Sequence, residues 1–342
     1  MRIFVRRADL ESDCEALIKL FGQYLTPQFD SSRFEWLYRE CPHGMAKAWV
    51  ACDETTGAIV GAGAAFPRKF YVDGEEKVGL VLGDFCMHER FRSLGPSLQL
   101  QRACTMAANE PPYVFFCDFP SHSMMAVYKR MGFLQSQSLI RWARPVCLKS
   151  RIESLTGSRL LARGLGPVAN KLLSLRGWKG GSGCEVKQHS QSFGEEFTDF
   201  HHRLRLEPGV QTACTAEYLN WRYLRPRAMH EILAARQGDT LVGYVVHTRD
   251  PKDATVVDLK TSGGPEVVAN LLARAVDRLR ALGAQTVSLC AADTHPWSAT
   301  FERAGFRPRE RTPIIVCSRP RSGISEANFS RGWLAMRGDR DS

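Results

Sequence analysis

The sequence of 342 residues predicts an α/β protein built from two similar domains in tandem, joined by a basic connector. Three observations predict it. The length suits two domains of about 150 residues each. A stretch of the first half recurs in the second. Each copy reads as hairpin strands followed by a strand–turn–helix–strand unit and a closing helix. The composition, 44% hydrophobic, 24% charged and 10% aromatic, excludes a disordered chain, a collagen and a coiled coil.

The repeat has two parts. Cys117 to Phe133 (CDFPSHSMMAVYKRMGF) matches Cys290 to Phe306 (CAADTHPWSATFERAGF) at six of seventeen positions without a gap, where chance gives about one. Asp84 and Asp258 fall near the same offset. Upstream, Trp36-Leu-Tyr38 is echoed by Trp221-Arg-Tyr223. The offsets drift along the chain, as loop deletions in a duplicated domain would produce.

The elements follow in order. Residues 48–52 and 58–65 read as a hairpin about a turn at 55–57, and 231–235 and 240–247 as its counterpart about 237–239. Residues 77–88 read as a strand and 97–109 as a helix. Residues 113–118 make a short buried strand, and 123–131 a helix stopped at Gly132, a natural C′ glycine. These assignments place domains at 1–146 and 184–319, a connector at 147–183 and a tail at 320–342.

The connector carries most of the charge. The chain has 46 Lys plus Arg against 36 Asp plus Glu, a net +10. Ten bases between Arg141 and Lys187, opposed by Glu153 and Glu185, contribute +8 of it. Leucines near helical spacing (Leu160, Leu161, Leu165, Leu172, Leu173) precede a Gly-rich break at 177–183. The segment reads as a solvated linker or as a basic amphipathic helix on an anionic membrane, through residues 148–183. Nucleic acid is disfavoured, because no recognition motif accompanies the charge.

The longest nearly uncharged stretch, 57–67, is far short of the roughly 18 residues a spanning helix needs. Asp9 and Glu11 stand where a secretory signal needs an apolar core. The expected location is therefore cytoplasmic, with peripheral contact at the inner membrane face left open by the connector. The eleven cysteines are scattered without a C-x-x-C pair, so neither a disulfide framework nor a zinc site is expected, and no metal.

The turn between the 77–88 strand and the 97–109 helix holds Arg92-Ser93-Leu94-Gly95-Pro96-Ser97. Free N–H groups and the dipole at a helix start favour phosphate there. His88-Glu-Arg-Phe-Arg92-Ser-Leu-Gly95-Pro-Ser97 resembles motif A of the GNAT (Gcn5-related) N-acetyltransferases, and Tyr128-Lys-Arg-Met-Gly132-Phe133 resembles their motif B ending. The resemblance covers Met1 to about Val146 and, more faintly, Cys184 to about Arg319. It departs from the pattern at Ser97, where Gly or Ala is usual, and at Pro96, which lacks an N–H and suits the N1 position.

The resemblance implies tandem GNAT-like domains, each a mixed, mostly antiparallel sheet flanked by helices, with the second copy degenerate. It implies that Arg92, Ser93, Leu94, Gly95, Pro96 and Ser97 cradle the pyrophosphate of acetyl-CoA. Backbone N–H groups near Met87 would polarise the thioester carbonyl. Asp84 is the carboxylate candidate for base, with a structural role equally open. Tyr128 is the implied acid for the leaving thiolate. His122 and His295 read as structural or capping residues, with His122 an open auxiliary base, and His88 as a turn residue. In the second half Phe301 replaces Tyr128 and Leu259-Lys260 replaces the Arg turn, so catalysis is not expected there.

The function expected is transfer of acetyl from acetyl-CoA to the amine of a small molecule or envelope sugar. The acceptor would meet Trp221, Arg222, Arg225 or Trp297 of the second domain, unless these are core. Two alternatives stay open: an aminoacyl-tRNA-dependent transferase of the peptidoglycan-bridge type, and a non-catalytic acyl-CoA-binding protein.

Overall fold

The computed structural model describes residues 2–147, 183–205, 208–225, 229–320 and 322–340. The first half opens with β1 (Ile3–Arg7) and α1 (Cys14–Tyr24), then α2 (Ser31–Phe34), which widens into a π turn at Glu35–Arg39. The expected hairpin is β2 (Lys47–Asp53) and β3 (Ile59–Val72), and β4 (Glu75–Met87) pairs along β3. Helix α3 (Leu94–Met106), β5 (Tyr113–Asp118), α4 (Met125–Arg130) and β6 (Gln137–Pro145) complete it.

The second half repeats the order. It runs β7 (Glu185–His189), α5 (Glu195–Leu204), β8 (Val210–Thr212), α6 (Ala216–Tyr223), β9 (His230–Gln237), β10 (Thr240–Thr248) and β11 (Thr255–Thr261). Then come α7 (Pro265–Ala281), β12 (Thr286–Ala292), α8 (Ser298–Arg303), β13 (Arg307–Ser318) and, in the tail, α9 (Glu326–Arg331). The connector lies outside the described residues apart from its ends. Among the described residues no helix is long and apolar enough to cross a membrane.

The strands form one sheet in the order β1-β2-β3-β4-β5-β13-β6-β12-β11-β10-β9-β7, with β8 beside the far end of β3. Only β4–β5 and β11–β12 run parallel among the described pairs, so the sheet is mixed and mostly antiparallel. Its centre shows what the repeat alone did not predict. The last strand of each half leaves its own partner: β6 pairs with β12, and β13 pairs with β5. Each half therefore completes the other's sheet, and β13 also pairs with β6 along the seam.

The echoed tryptophans mark the same quasi-twofold relation. Trp36 and Trp221 stack with ring centroids 5.1 Å apart, and each indole N–H donates to the other's backbone carbonyl at 2.9 Å. They are a joint between the halves. The Gly-Phe identities have a local cause as well. Gly132 and Gly305 both take φ +88°, and the N–H of Phe133 and of Phe306 donates to the carbonyl of Tyr128 and of Phe301 at 3.0 Å. Both helices thus end in the same left-handed stop.

Helices cover both sheet faces, as a sheet with two apolar faces requires. In the first half α3 and α4 bury Leu100, Cys104 and Tyr128 on one face, and α1 and the π turn bury Phe21, Leu37 and Tyr38 on the other. Helix α7 packs Val268, Leu271 and Leu272 onto the second half. The tail continues into the core through Phe329, Trp333 and Met336.

Candidate active site

Strands β4 and β5 stay paired only as far as Leu82 and Asp118. Beyond that point β4 continues from Gly83 to Met87, and its backbone on that side meets no strand among the described residues. A bulge accompanies the parting: Ala62 pairs with Cys86 but Ala64 with Gly83, so β4 carries one residue too many. Asp84 absorbs it at φ +48°, a conformation uncommon outside glycine. Bulges of this kind bend a strand and break off its pairing. The wedge that opens is a cavity of about 640 Å³, lined by both strand ends, the first turn of α3, α4 and, from the tail, Arg340.

The predicted phosphate turn borders this cavity. A short 3₁₀ turn at Glu89–Phe91 is capped by His88, whose Nδ1 accepts from the Arg90 N–H at 3.2 Å. Ser93 is the N-cap of α3 and Leu94 its first residue. Pro96 is therefore the third helical residue rather than the first, a correction that leaves the helix intact because N–H groups in the first turn have no intrahelical acceptor anyway. The first i→i−4 bond is Ser97 N–H to Ser93 O, 3.2 Å. Helix geometry leaves the N–H groups of Leu94 and Gly95 pointing outward beside exposed Arg92, whose Nη2 also donates to the Met87 carbonyl at 3.3 Å. A Cβ on Gly95 would meet nothing within 4 Å. Nothing among the described residues demands glycine there, whereas a phosphate approaching the backbone would.

Two carboxylates reach the cavity wall. Asp84 is fully buried at its side chain, accepts from the Tyr38 hydroxyl at 3.1 Å and faces Arg33 at 4.0 Å. Asp118, at the end of β5, was not singled out from the sequence. Burial pushes its carboxyl up to about 6, against hydrogen bonds from the Tyr128 hydroxyl and the Phe119 N–H and the charge of Arg340. Tyr128 is entirely buried and does not line the cavity. Its hydroxyl donates to Asp118 and accepts from Gln101 Nε2 at 2.6 Å, and burial holds its own proton firmly. Tyr128 thus reaches the cavity through Asp118. The sequence did carry a signal for Asp118: in the aligned repeat its counterpart is Ala291.

The histidines part company. His122 is exposed, and the turn before α4 is capped by the Ser121 hydroxyl, which accepts from Met124 N–H at 3.2 Å. His295 is buried and accepts from Trp297 N–H at 3.2 Å. The capping role therefore holds for His295 alone.

The second half repeats the frame and fills the opening. Tyr223 donates to Asp258 at 3.0 Å, the counterpart of Tyr38 and Asp84. Strands β11 and β12 part after Val256 and Leu289, and the tail lies in the wedge. Ala335 O accepts from Ala292 N–H at 3.0 Å, and Leu334 O from Lys260 Nζ at 2.9 Å. A Cβ on Gly338 would lie 2.3 Å from the Tyr223 hydroxyl. Lys260 is buried against Asp258 at 3.3 Å, and a Cβ on Gly263 would strike Val267 at 2.5 Å. Here the glycine serves the chain's own packing, unlike Gly95.

No protein-family model matches the chain, and no curated protein matches it in sequence. Solved structures do resemble it. A GCN5-related N-acetyltransferase from Anabaena variabilis superposes with a TM-score of 0.66 at 12% identity, over 92% of this chain and 72% of that one. An Enterococcus faecalis protein of unknown function described as a probable N-acyltransferase gives 0.64 at 11%, over 93% and 73%. Saccharomyces cerevisiae N-myristoyltransferase with bound myristoyl-CoA gives 0.60 at 12%, over 96% and 83%. The chain has the fold of the GCN5-related N-acetyltransferases, present in two interlocked copies.

Proposed function

We propose that the protein is an acyl-CoA-dependent N-acyltransferase that works in the first-half cavity, with acetyl-CoA as donor and an amine as acceptor. The observation that carries this is the joining of a phosphate-ready helix start, an unpaired strand end and two carboxylates around one wedge. The outward N–H groups of Leu94 and Gly95 and the Arg92 charge suit the diphosphate, with Ser93, Pro96 and Ser97 shaping the turn. The pantetheine arm would extend along Gly83–Met87, where backbone N–H groups near Met87 can stabilise the oxyanion as the amine adds to the thioester carbon.

The amine nitrogen forms the new C–N bond and the C–S bond breaks. One proton leaves the nitrogen and one reaches the CoA sulfur. Asp118 and Asp84 are the carboxylates placed to take the first. Asp118 is the better matched near neutrality, since a base works best with a pKa near the operating pH. Tyr128, hydrogen-bonded to Asp118, serves the second transfer through that carboxyl. The test is release of free thiol from acetyl-CoA in the presence of amines. Arg92→Ala should raise KM for acetyl-CoA several-fold with little change at saturation. Thiol release with KM unaffected by Arg92→Ala would remove the phosphate assignment.

A further inference from the structure

A second, smaller cavity of about 170 Å³ lies where the two halves and the tail meet, and five of its lining residues are arginines: Arg33, Arg222, Arg225, Arg337 and Arg340. Among the described lining residues one, Asp253, is acidic, and it already binds Arg337 at 2.9 Å. Asp30 is near enough for Arg225 to feel its charge. The arginines are concentrated in a space too small for a whole ligand, since small-molecule pockets run to about 300–1,000 Å³. It suits one oxyanion and the atoms next to it.

The arginines are held, not splayed. The Arg225 guanidinium stands 3.9 Å from the Trp36 ring centroid, and that of Arg222 5.6 Å from the same ring. The indole of Trp36 is fixed in turn by its bond to Trp221. Arg222 also donates to the Arg340 carbonyl. Arg225 Nε and His230 Nδ1 are buried with no hydrogen-bond partner among the described residues. Burial, then the charges of Arg33 and Arg222, draw Arg225 below its ordinary pKa. Burial and neighbouring arginines likewise hold His230 down to about 4. Like charges packed against an aromatic floor repel one another, and an anion seated among them relieves that repulsion.

The position ties this pocket to the first-half cavity. Arg340 lines both. Arg33 lines the smaller one and faces Asp84 of the larger one at 4.0 Å. Arg33 and Arg340 thus stand between the small pocket and the carboxylates of the first-half cavity. Resting on the acyltransferase reading above, we infer that the acceptor is an anionic amine, whose carboxylate or phosphate is bound by Arg225, Arg337 and their neighbours while its amino group enters the catalytic cavity.

The first test needs no acceptor. The full-length protein is titrated with inorganic phosphate and, separately, with acetate, at ionic strength held constant with chloride, and followed by tryptophan fluorescence and thermal unfolding. In an Arg92→Ala background, which disables the phosphate turn of the first-half cavity, saturable binding is expected and is weakened about tenfold or more when Arg225→Ala or Arg337→Ala is added. The preferred anion distinguishes a phosphate-bearing acceptor from a carboxylate-bearing one. Equal responses in that background with and without Arg225→Ala and Arg337→Ala would overturn the inference. Arg337 is half-exposed at the rim, so its variant serves if Arg225→Ala does not fold.

The second test measures thiol release from acetyl-CoA with matched amines: glycine against glycinamide, and phosphoethanolamine against ethanolamine. The anionic member should have the higher kcat/KM, and Arg225→Ala should remove that preference through KM. A preference for the neutral members would overturn the inference while leaving the acyltransferase intact. Phosphate binding lost in Arg225→Ala, together with no acetyl-CoA binding by calorimetry, would leave the anion site standing and remove the transferase reading.

Discussion

Replacing Asp118 with Asn separates catalysis from stability at one position. The carboxyl is raised from 3.8 to about 6 by burial, a difference worth on the order of 3 kcal/mol. A carboxyl whose pKa rises on folding destabilises the folded state once ionised. The cost is full above pH 6, shrinks as the pH falls from 6 toward 4, and is gone below that. The Asn carbonyl still accepts the Tyr128 hydroxyl, so the hydrogen bond survives. Asp118→Asn should therefore be more stable at pH 7 by up to about 3 kcal/mol, or roughly 4 °C in Tm for a chain this long, with no difference at pH 4. Its turnover should fall about 10² to 10⁴-fold, as loss of a general base does, and the rise in rate through pH 6 should vanish. Thermal unfolding across pH 4–8 and thiol release across the same range measure both. A variant that is less stable at pH 7, or one that keeps the wild-type pH–rate profile, would refute the reasoning.

Other expectations follow from neighbouring geometry. Tyr128→Phe strips Asp118 of its strongest hydrogen bond and Gln101 of its acceptor, so it should cost about 1–3 kcal/mol and move the pH–rate rise above 6, with acetyl-CoA affinity little changed. Gly95→Ala should keep or raise Tm by the equivalent of about 0.4–1 kcal/mol yet weaken acetyl-CoA binding in calorimetry, because the space its methyl enters is open in the protein. Lys260→Ala should destabilise by about 3–5 kcal/mol in chemical unfolding, since it leaves the Asp258 charge buried without its partner. Neutralising the bases of residues 148–183 should abolish cosedimentation with anionic vesicles if the connector is a membrane contact.

Much of the frame was legible in the sequence because its causes are local. Gly132 and Gly305 stop two helices the same way, so the Gly-Phe pair repeats. Trp36 and Trp221 meet each other across the quasi-twofold, so the Trp-x-Tyr pair repeats as well. The strand–turn–helix at Arg92–Ser97 was read from residue types that favour phosphate. What stayed hidden depends on long-range pairing. The exchange of β6 and β13 leaves no trace in hydrophobic pattern, since a strand alternates alike beside either neighbour. The tail reads as polar and Gly-containing, yet residues 333–340 fill the second wedge and bring Arg340 to the first. Sequence reasoning favours Asp84, although of the two carboxylates Asp118 alone lacks a counterpart in the second half. Lys260, which stands in the sequence where the first half has its Arg turn, is an interior partner of Asp258.

The most direct test of the account is calorimetric titration of acetyl-CoA into wild-type protein and Arg92→Ala. The account predicts one site per chain, because the second wedge is occupied by the chain's own tail, and an affinity weakened several-fold in Arg92→Ala. Two equivalent sites, or binding indifferent to Arg92, would contradict the placement of the site, and no binding of acetyl-CoA or of longer acyl-CoAs would contradict the function itself.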